Sequence, residues 1–323
     1  MEADKPFLIA RLLREDSKRI EIAFGFAERR QESSQPASVQ EMYQYFRDGK
    51  RFAELIQRGF EEVKGMIGTR EQNSSVTDWS PPDAPNIISR AVTDANLSES
   101  RVLALAAYPL GLTELKTIFQ SGPGTIRYAL ENPPRVRGRG GWDLYSSPQS
   151  RIVEGTLLRC VTEGYKVVDL YRNGALVFAA PVDKSFYCWA QEDAARIHPL
   201  ALAEAMYNFV LFYQSVVSDM TTPPAKHKIA VKLSNFLKGG IPVRLAPGIS
   251  DIWSSLSSRE APKDGWSTER EFGAEAIRET GLAAFQMLRE IYYWFGMSEE
   301  EIPYRKQDGG RNLIDPTLFP RGR

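Results

Sequence analysis

Asn173 and Gly174 sit between two apolar runs, "YKVVDLYR" and "ALVFAAPV". Of all the features in this chain, this pair restricts the fold most. An Asn-Gly step between alternating runs is the strongest short signal for a β-hairpin, because its two turn positions favour positive φ. The flanking runs must then pair antiparallel. "RIVEGTLLRCV" precedes them and "FYCWA" follows. Together they predict an antiparallel meander from Leu157 to Ala190, with "FYCWA" as its fourth strand.

Helical periodicity appears on both sides of this meander. After His198-Pro199, Leu202, Met206, Phe209, Val210, Tyr213 and Val217 recur at helical spacing. Only Glu204, Asn208 and Ser215 interrupt them as a narrow polar stripe, so this helix is expected to be largely buried. Thr268 and Glu271 fit a capping box for a last helix from Glu269 to Trp294, with Glu275, Glu279, Gln286 and Arg289 on its wet face. "LTELKTIF" predicts a short helix, and "SGPGTIRYALENPP" a turn and a helix that the prolines end. "RVLALAAYP" is apolar throughout and reads as a buried strand or a helical turn, while "HKIAVKLSNFL" alternates like a strand. The class expected is α+β: an antiparallel sheet packed with two long helices, plus a small N-terminal α/β piece.

The organisation follows from composition shifts. Residues 1–68 hold an alternating run from Arg19 to Ala27 and an amphipathic helix carrying Phe52, Leu55, Ile56, Phe60, Val63 and Ile67. Residues 69–98 read as a linker, because "TREQNSSVTDWSPPDAPN" is polar and proline-rich. Residues 99–300 form the main domain, and 301–323 a basic tail.

Chemistry is harder to find. The 41 basic and 41 acidic residues cancel, which argues against a protein that coats nucleic acid over its whole surface. The two histidines, His198 and His227, and two cysteines, Cys160 and Cys188, show no paired metal-ligand spacing and make no disulfide framework. "SGPGT" and "RGRGG" fit neither phosphate-loop pattern, and no GxSxG elbow occurs. No catalytic residue, metal or cofactor is therefore expected. The N-terminus has no signal-peptide pattern, and the apolar run from Met206 to Val217 is broken by Asn208 and Gln214. The expectation is a cytoplasmic chain with no membrane contact.

One stretch offers a binding chemistry. "NPPRVRGRGGWDL" places Arg135, Arg137 and Arg139 at alternate positions among glycines, followed by Trp142. Between Ile126 and Arg151 five arginines stand against Glu131 and Asp143, a local net of +3. If the stretch is extended, the three arginines project from one side as a set. Glycine-flanked arginines can approach a phosphate backbone, and a tryptophan can stack on an unpaired base. The competing reading is a solvated corner anchored by Trp142. Arg135, Arg137, Arg139 and Trp142 are the candidate nucleic-acid-binding residues.

The same region resembles a known arrangement. Pro133, Pro134 and Arg137 form a Pro-Pro-x-x-Arg turn, and Gly141-Trp142-Asp143-Leu144 the step that follows it. Arg151 and Gly155 begin a strand, and Tyr171-Arg172-Asn173-Gly174 close a hairpin. This pattern, over about Arg101 to Phe236, resembles the segment downstream of the Schlafen-type AlbA-like DNA-binding domain in bacterial proteins. "YQYFRDGKRFAELI" in the first 65 residues is similar to that domain's terminal strand and helix, without its earlier acidic and lysine-bearing strand motif. The resemblance implies a non-catalytic bacterial module in a DNA-associated or regulatory system. Its candidate partners are nucleic acid, a DNA-bound protein or a second copy of the chain. The alternative is a protein-interaction or oligomerisation unit that never touches nucleic acid.

Overall fold

A computed structural model describes residues 84–133, 136–137, 150–162, 165–188, 194–246 and 258–320, all within a compact unit that begins at Trp79. The elements expected before residue 84 lie outside the described residues. So do Arg135, Arg139 and Trp142.

In chain order the elements are α1 (Ala84–Asp94), β1 (Val102–Pro109), α2 (Ile126–Glu131), β2 (Arg151–Val153), β3 (Leu157–Thr162), β4 (Lys166–Tyr171) and β5 (Leu176–Pro181). They continue with α3 (Ser185–Cys188), β6 (Arg196–Ile197), α4 (Pro199–Asp219), β7 (Lys226–Ser234), β8 (Arg244–Leu245) and β9 (Arg259–Glu260). The last are β10 (Trp266–Gly273), α5 (Ala274–Arg278), α6 (Thr280–Trp294), β11 (Arg305–Asp308) and β12 (Arg311–Ile314). The fold is α+β, as the patterning implies.

Seven strands form one sheet in the order β10-β7-β1-β5-β4-β3-β2, each pair antiparallel. The ambiguous "VLALAAYP" is an interior strand of it, between β7 and β5, buried at all eight positions. Its two faces differ in size. Leu103 and Leu105 enter the large core beneath α4 and α6, while Ala104 and Ala106 face α1 together with Ala91 and Ile88. Small side chains on that face let a single helix pack closely. The stretch 69–98, expected as a linker, therefore contains from Ala84 a helix that belongs to the sheet. Ala95 and Leu97 just beyond it are also buried.

The meander expected from Leu157 is present through Pro181. Its Asn-Gly turn takes a different form from the simplest two-residue type. Gly174 has φ 80° and Asn173 is not left-handed; the Gly174 amide donates to the Tyr171 carbonyl and the Tyr171 amide to the Ala175 carbonyl. This is a three-residue loop closed by a left-handed glycine. The Asn173 side chain accepts from the Ala175 amide.

Three expectations are corrected. "FYCWA" is not a fourth strand: Ser185–Cys188 is one helical turn, with Tyr187 and Cys188 fully buried. "LTELKTIF" is not a helix. Leu115 bridges Met220 and the Leu112 side chain is exposed. Thr268 and Glu271 cap nothing, because they lie on β10 opposite Val231 and Lys228 of β7, and the helix beyond is split at Glu279. A Thr-x-x-Glu spacing suits an edge strand with one wet face as well as it suits a helix start. The basic tail from 301 carries secondary structure of its own. β11 and β12 pair as a hairpin against α6, burying Ile314 and Phe319.

Helix α4 has the length and mean hydropathy, 1.3, of a membrane-crossing segment. Here the sheet and α6 bury most of it, and the supposed polar stripe goes inside with it: Glu204 and Asn208 are both buried.

Candidate functional site

The buried stripe of α4 is where the arginine stretch leads. His198 caps the helix, its Nδ1 accepting from the Leu200 amide at 3.2 Å, and Pro199 occupies the first turn, where no amide is missed. Glu204 follows in the second turn with its carboxylate fully buried. Arg137 reaches in from the corner after α2. Its Nε donates to Glu204 Oε2 at 2.8 Å and its Nη1 to the Pro320 carbonyl at 2.8 Å. The Arg137 side chain is only 8% exposed. A carboxylate in this interior needs such a partner, since an uncompensated buried charge costs several kcal/mol.

Tyr304 lies beside this pair, near enough for Arg137 and Glu204 to act on it electrostatically. It takes φ 60°, an uncommon conformation for a tyrosine, and its buried hydroxyl has no hydrogen-bond partner among the described residues. Burial raises its pKa well above the ordinary tyrosine value. The ring packs edge-on to Phe319, centroids 4.8 Å apart, and Phe319 packs edge-on to Tyr207 at 6.2 Å. The rings of Phe319 and Tyr207 border a cleft of about 590 Å³. Val136, Arg137 and Leu211 line it beside Tyr207, and Pro316, Thr317 and Phe319 close it from the C-terminal segment.

Of the four expected binding residues, only Arg137 lies among the described residues, and it is turned into the molecule instead of along a shared outer edge. Burial, with the positive charges of Arg196 and Arg137 nearby, lowers the His198 pKa to about 4. His198 is therefore neutral at pH 7. The Cys160 thiol is pushed up to about 12, first by burial and then by Glu131 and Asp169. It is protonated at pH 7, which removes it as a nucleophile. His227 is fully buried, with Nδ1 3.1 Å from the Tyr213 hydroxyl, and burial lowers its pKa too. Among the described residues no three His, Cys, Asp or Glu side chains are grouped to hold a metal ion.

A second buried charge cluster fastens α1 to the sheet. Arg159 of β3 forms a two-pronged pair with Asp169 opposite it on β4, at 2.7 and 2.6 Å. Its remaining Nη1 donates to Asp94 of α1 at 2.7 Å. With the guanidinium held on three sides, this cluster is structural. Its signal was visible in "LLRCV" and "VVDLY", where opposite charges interrupt apolar strands. The signal for the Arg137 site was weaker: Glu204 sits mid-helix among apolar neighbours, but nothing local connects it to a residue 67 positions earlier.

Comparison of the chain with protein-family models, with curated proteins and with solved structures gives no match.

Proposed function

We propose that this unit is a non-catalytic interaction module of a cytoplasmic, DNA-associated or regulatory bacterial system, and that its direct partner is a protein. The observation that carries this reading is how the cations are used. Arg137 is committed to Glu204, and five surface cations among the described residues stand against carboxylates: Lys226 with Glu271 at 2.7 Å, Arg172 with Glu114 at 3.0 Å, Arg244 with Glu260 at 2.7 Å, Arg90 with Glu154 at 2.7 Å and Arg311 with Glu279 at 3.1 Å. A phosphate backbone would have to displace these partners before gaining any counterion release. The sequence resemblance supports the DNA-associated setting, and the charge pattern favours a protein contact within it.

The loop after β7 supplies a suitable contact element. Leu237 and Ile241 are exposed, Ile241 by 60%. Their backbone is held firmly. Arg101 Nη2 donates to the carbonyls of Lys238 and Ile241, Asn235 Nδ2 to those of Ser98 and Ser100, and Asp264 accepts from the Leu237 amide. An apolar tip fixed before binding loses little conformational freedom when it docks.

Two measurements test the proposal on the full chain. Short single- and double-stranded DNA should bind no more tightly than about 10⁻⁴ M near about 0.15 M salt, the weak end of non-specific binding. A photo-reactive residue at Ile241 should yield protein adducts in a bacterial host. Micromolar DNA affinity that falls steeply with salt, or nucleic-acid adducts from position 241, would defeat the protein-partner reading.

A further inference from the structure

Three short strands outside the large sheet set two arginines side by side. β6, β8 and β9 pair in that order, with Arg196 opposite Arg244 and Arg244 opposite Glu260. Ile197 and Leu245, the next residues along β6 and β8, are buried. Strand alternation therefore puts Arg196 and Arg244 together on the outer face, on neighbouring strands about 4.8 Å apart. Glu260 takes one side of Arg244: its Oε1 accepts from Nη2 at 2.7 Å and from Nε at 3.2 Å. Arg196 forms no ion pair and no side-chain hydrogen bond among the described residues. Like charges opposed across a sheet destabilise it, and here one carboxylate serves two guanidiniums. The apolar tip is continuous with this row. Ile241 lies three residues before Arg244, a reach of at most about 10 Å. The link between them is fixed: the Val243 amide donates to the Phe236 carbonyl, the Ala261 amide to the Val243 carbonyl and the Arg244 amide to the Ala195 carbonyl.

We infer that the partner met by this face is an acidic protein segment: an apolar side chain seats against Leu237 and Ile241, and a carboxylate about three residues along it bridges Arg196 and Arg244. The inference rests on the protein-partner reading and names the chemistry of that partner. A carboxylate between the arginines turns their mutual repulsion into attraction, and it accepts charge-assisted hydrogen bonds from Arg196 and from Nη1 of Arg244, which Glu260 leaves unused. The apolar contact supplies affinity, and the arginines select among apolar segments by charge. A basic segment meets two cations on the same row and is rejected.

The test uses the full chain and three dansyl-labelled, C-terminally amidated peptides, Leu-Leu-Ser-Ser-Glu-Glu and its Gln-Gln and Lys-Lys counterparts, titrated by fluorescence at about 0.01 M salt, where screening is weak. The Glu-Glu peptide should bind about fivefold more tightly than the Gln-Gln peptide and at least tenfold more tightly than the Lys-Lys peptide. The differences should shrink at about 0.15 M salt. Arg196→Ala removes a residue with no ion pair to lose, so it should abolish most of the preference for acid without lowering the melting temperature. Arg196→Glu should reverse the order and favour the Lys-Lys peptide. Ile241→Asp should weaken the Gln-Gln peptide as well, which the arginine variants should not do. Equal affinity for the three peptides, with protein adducts still formed from position 241, would overturn this inference and leave the protein-partner reading standing. An acid preference that survives both Arg196 variants would overturn it too. So would a short DNA duplex bound more tightly than the Glu-Glu peptide and released by Arg196→Ala, and that result would take the protein-partner reading with it.

Discussion

Arg137 is the residue at which the two readings of "NPPRVRGRGGWDL" part. A phosphate-binding arginine sits in water and can be removed at little cost in stability. One paired with a buried carboxylate cannot. Arg137→Ala should therefore lower unfolding free energy by about 3–5 kcal/mol in urea titration, because Glu204 keeps its charge in a low-dielectric interior. Changing both members, Arg137→Met with Glu204→Leu, should recover most of that loss. If Arg137→Ala left stability untouched and instead reduced DNA affinity, the clamp reading would return. The sequence made the arginine visible but not its direction. Alternation indicates that Arg135, Arg137 and Arg139 share a side if the strand is straight. It cannot indicate that α4, some 60 residues on, brings a buried acid to that side.

Helix α4 shows how an element can be legible in position and misread in consequence. Its start at His198-Pro199 and its apolar length were plain from the sequence, and so was the hairpin at Gly174. Its polar stripe pointed inward because the Arg137 corner and the segment at Phe319 and Pro320 meet that side of the helix, a long-range event with no local trace. Thr268 and Glu271 were misread for the converse reason: a four-residue spacing carries no information about whether β7 waits alongside. The cap also fixes a pH response. His198 titrates at about 4 in the folded chain and ordinarily at 6.5, so the unfolded chain takes up its proton first. Stability from this group is complete above pH 6.5 and is lost as pH falls toward 4, by about 3 kcal/mol in all. His198→Asn, which retains a cap acceptor, should remove one proton's worth of that slope in denaturant titrations across the window. The lowered pKa of His227 leaves a remainder in the variant. Identical slopes in both proteins would show that His198 is not the group responsible.

At the scale of the whole molecule, the last strands decide whether the site exists. The β11–β12 hairpin lies on α6 at Gly281, where an added Cβ would stand 2.4 Å from the Ile314 carbonyl oxygen. That oxygen is backbone, so relief requires the hairpin itself to shift. Beyond it, Phe319 forms one wall of the cleft, and the Pro320 carbonyl accepts from Arg137. Gly281→Ala should consequently do two things at once. The melting temperature should fall, and proteolysis at the Gly309-Gly310 turn should accelerate. The sheet beneath, with β1 buried at all eight positions and the Arg159–Asp169 pair intact, has no reason to follow. Hydrogen exchange should accordingly rise in 305–320 and stay unchanged in β1, β4 and β5. Loss of protection spreading equally through the central strands would mean that the C-terminal hairpin is part of one cooperative core, and the cleft could not then be opened separately from the fold.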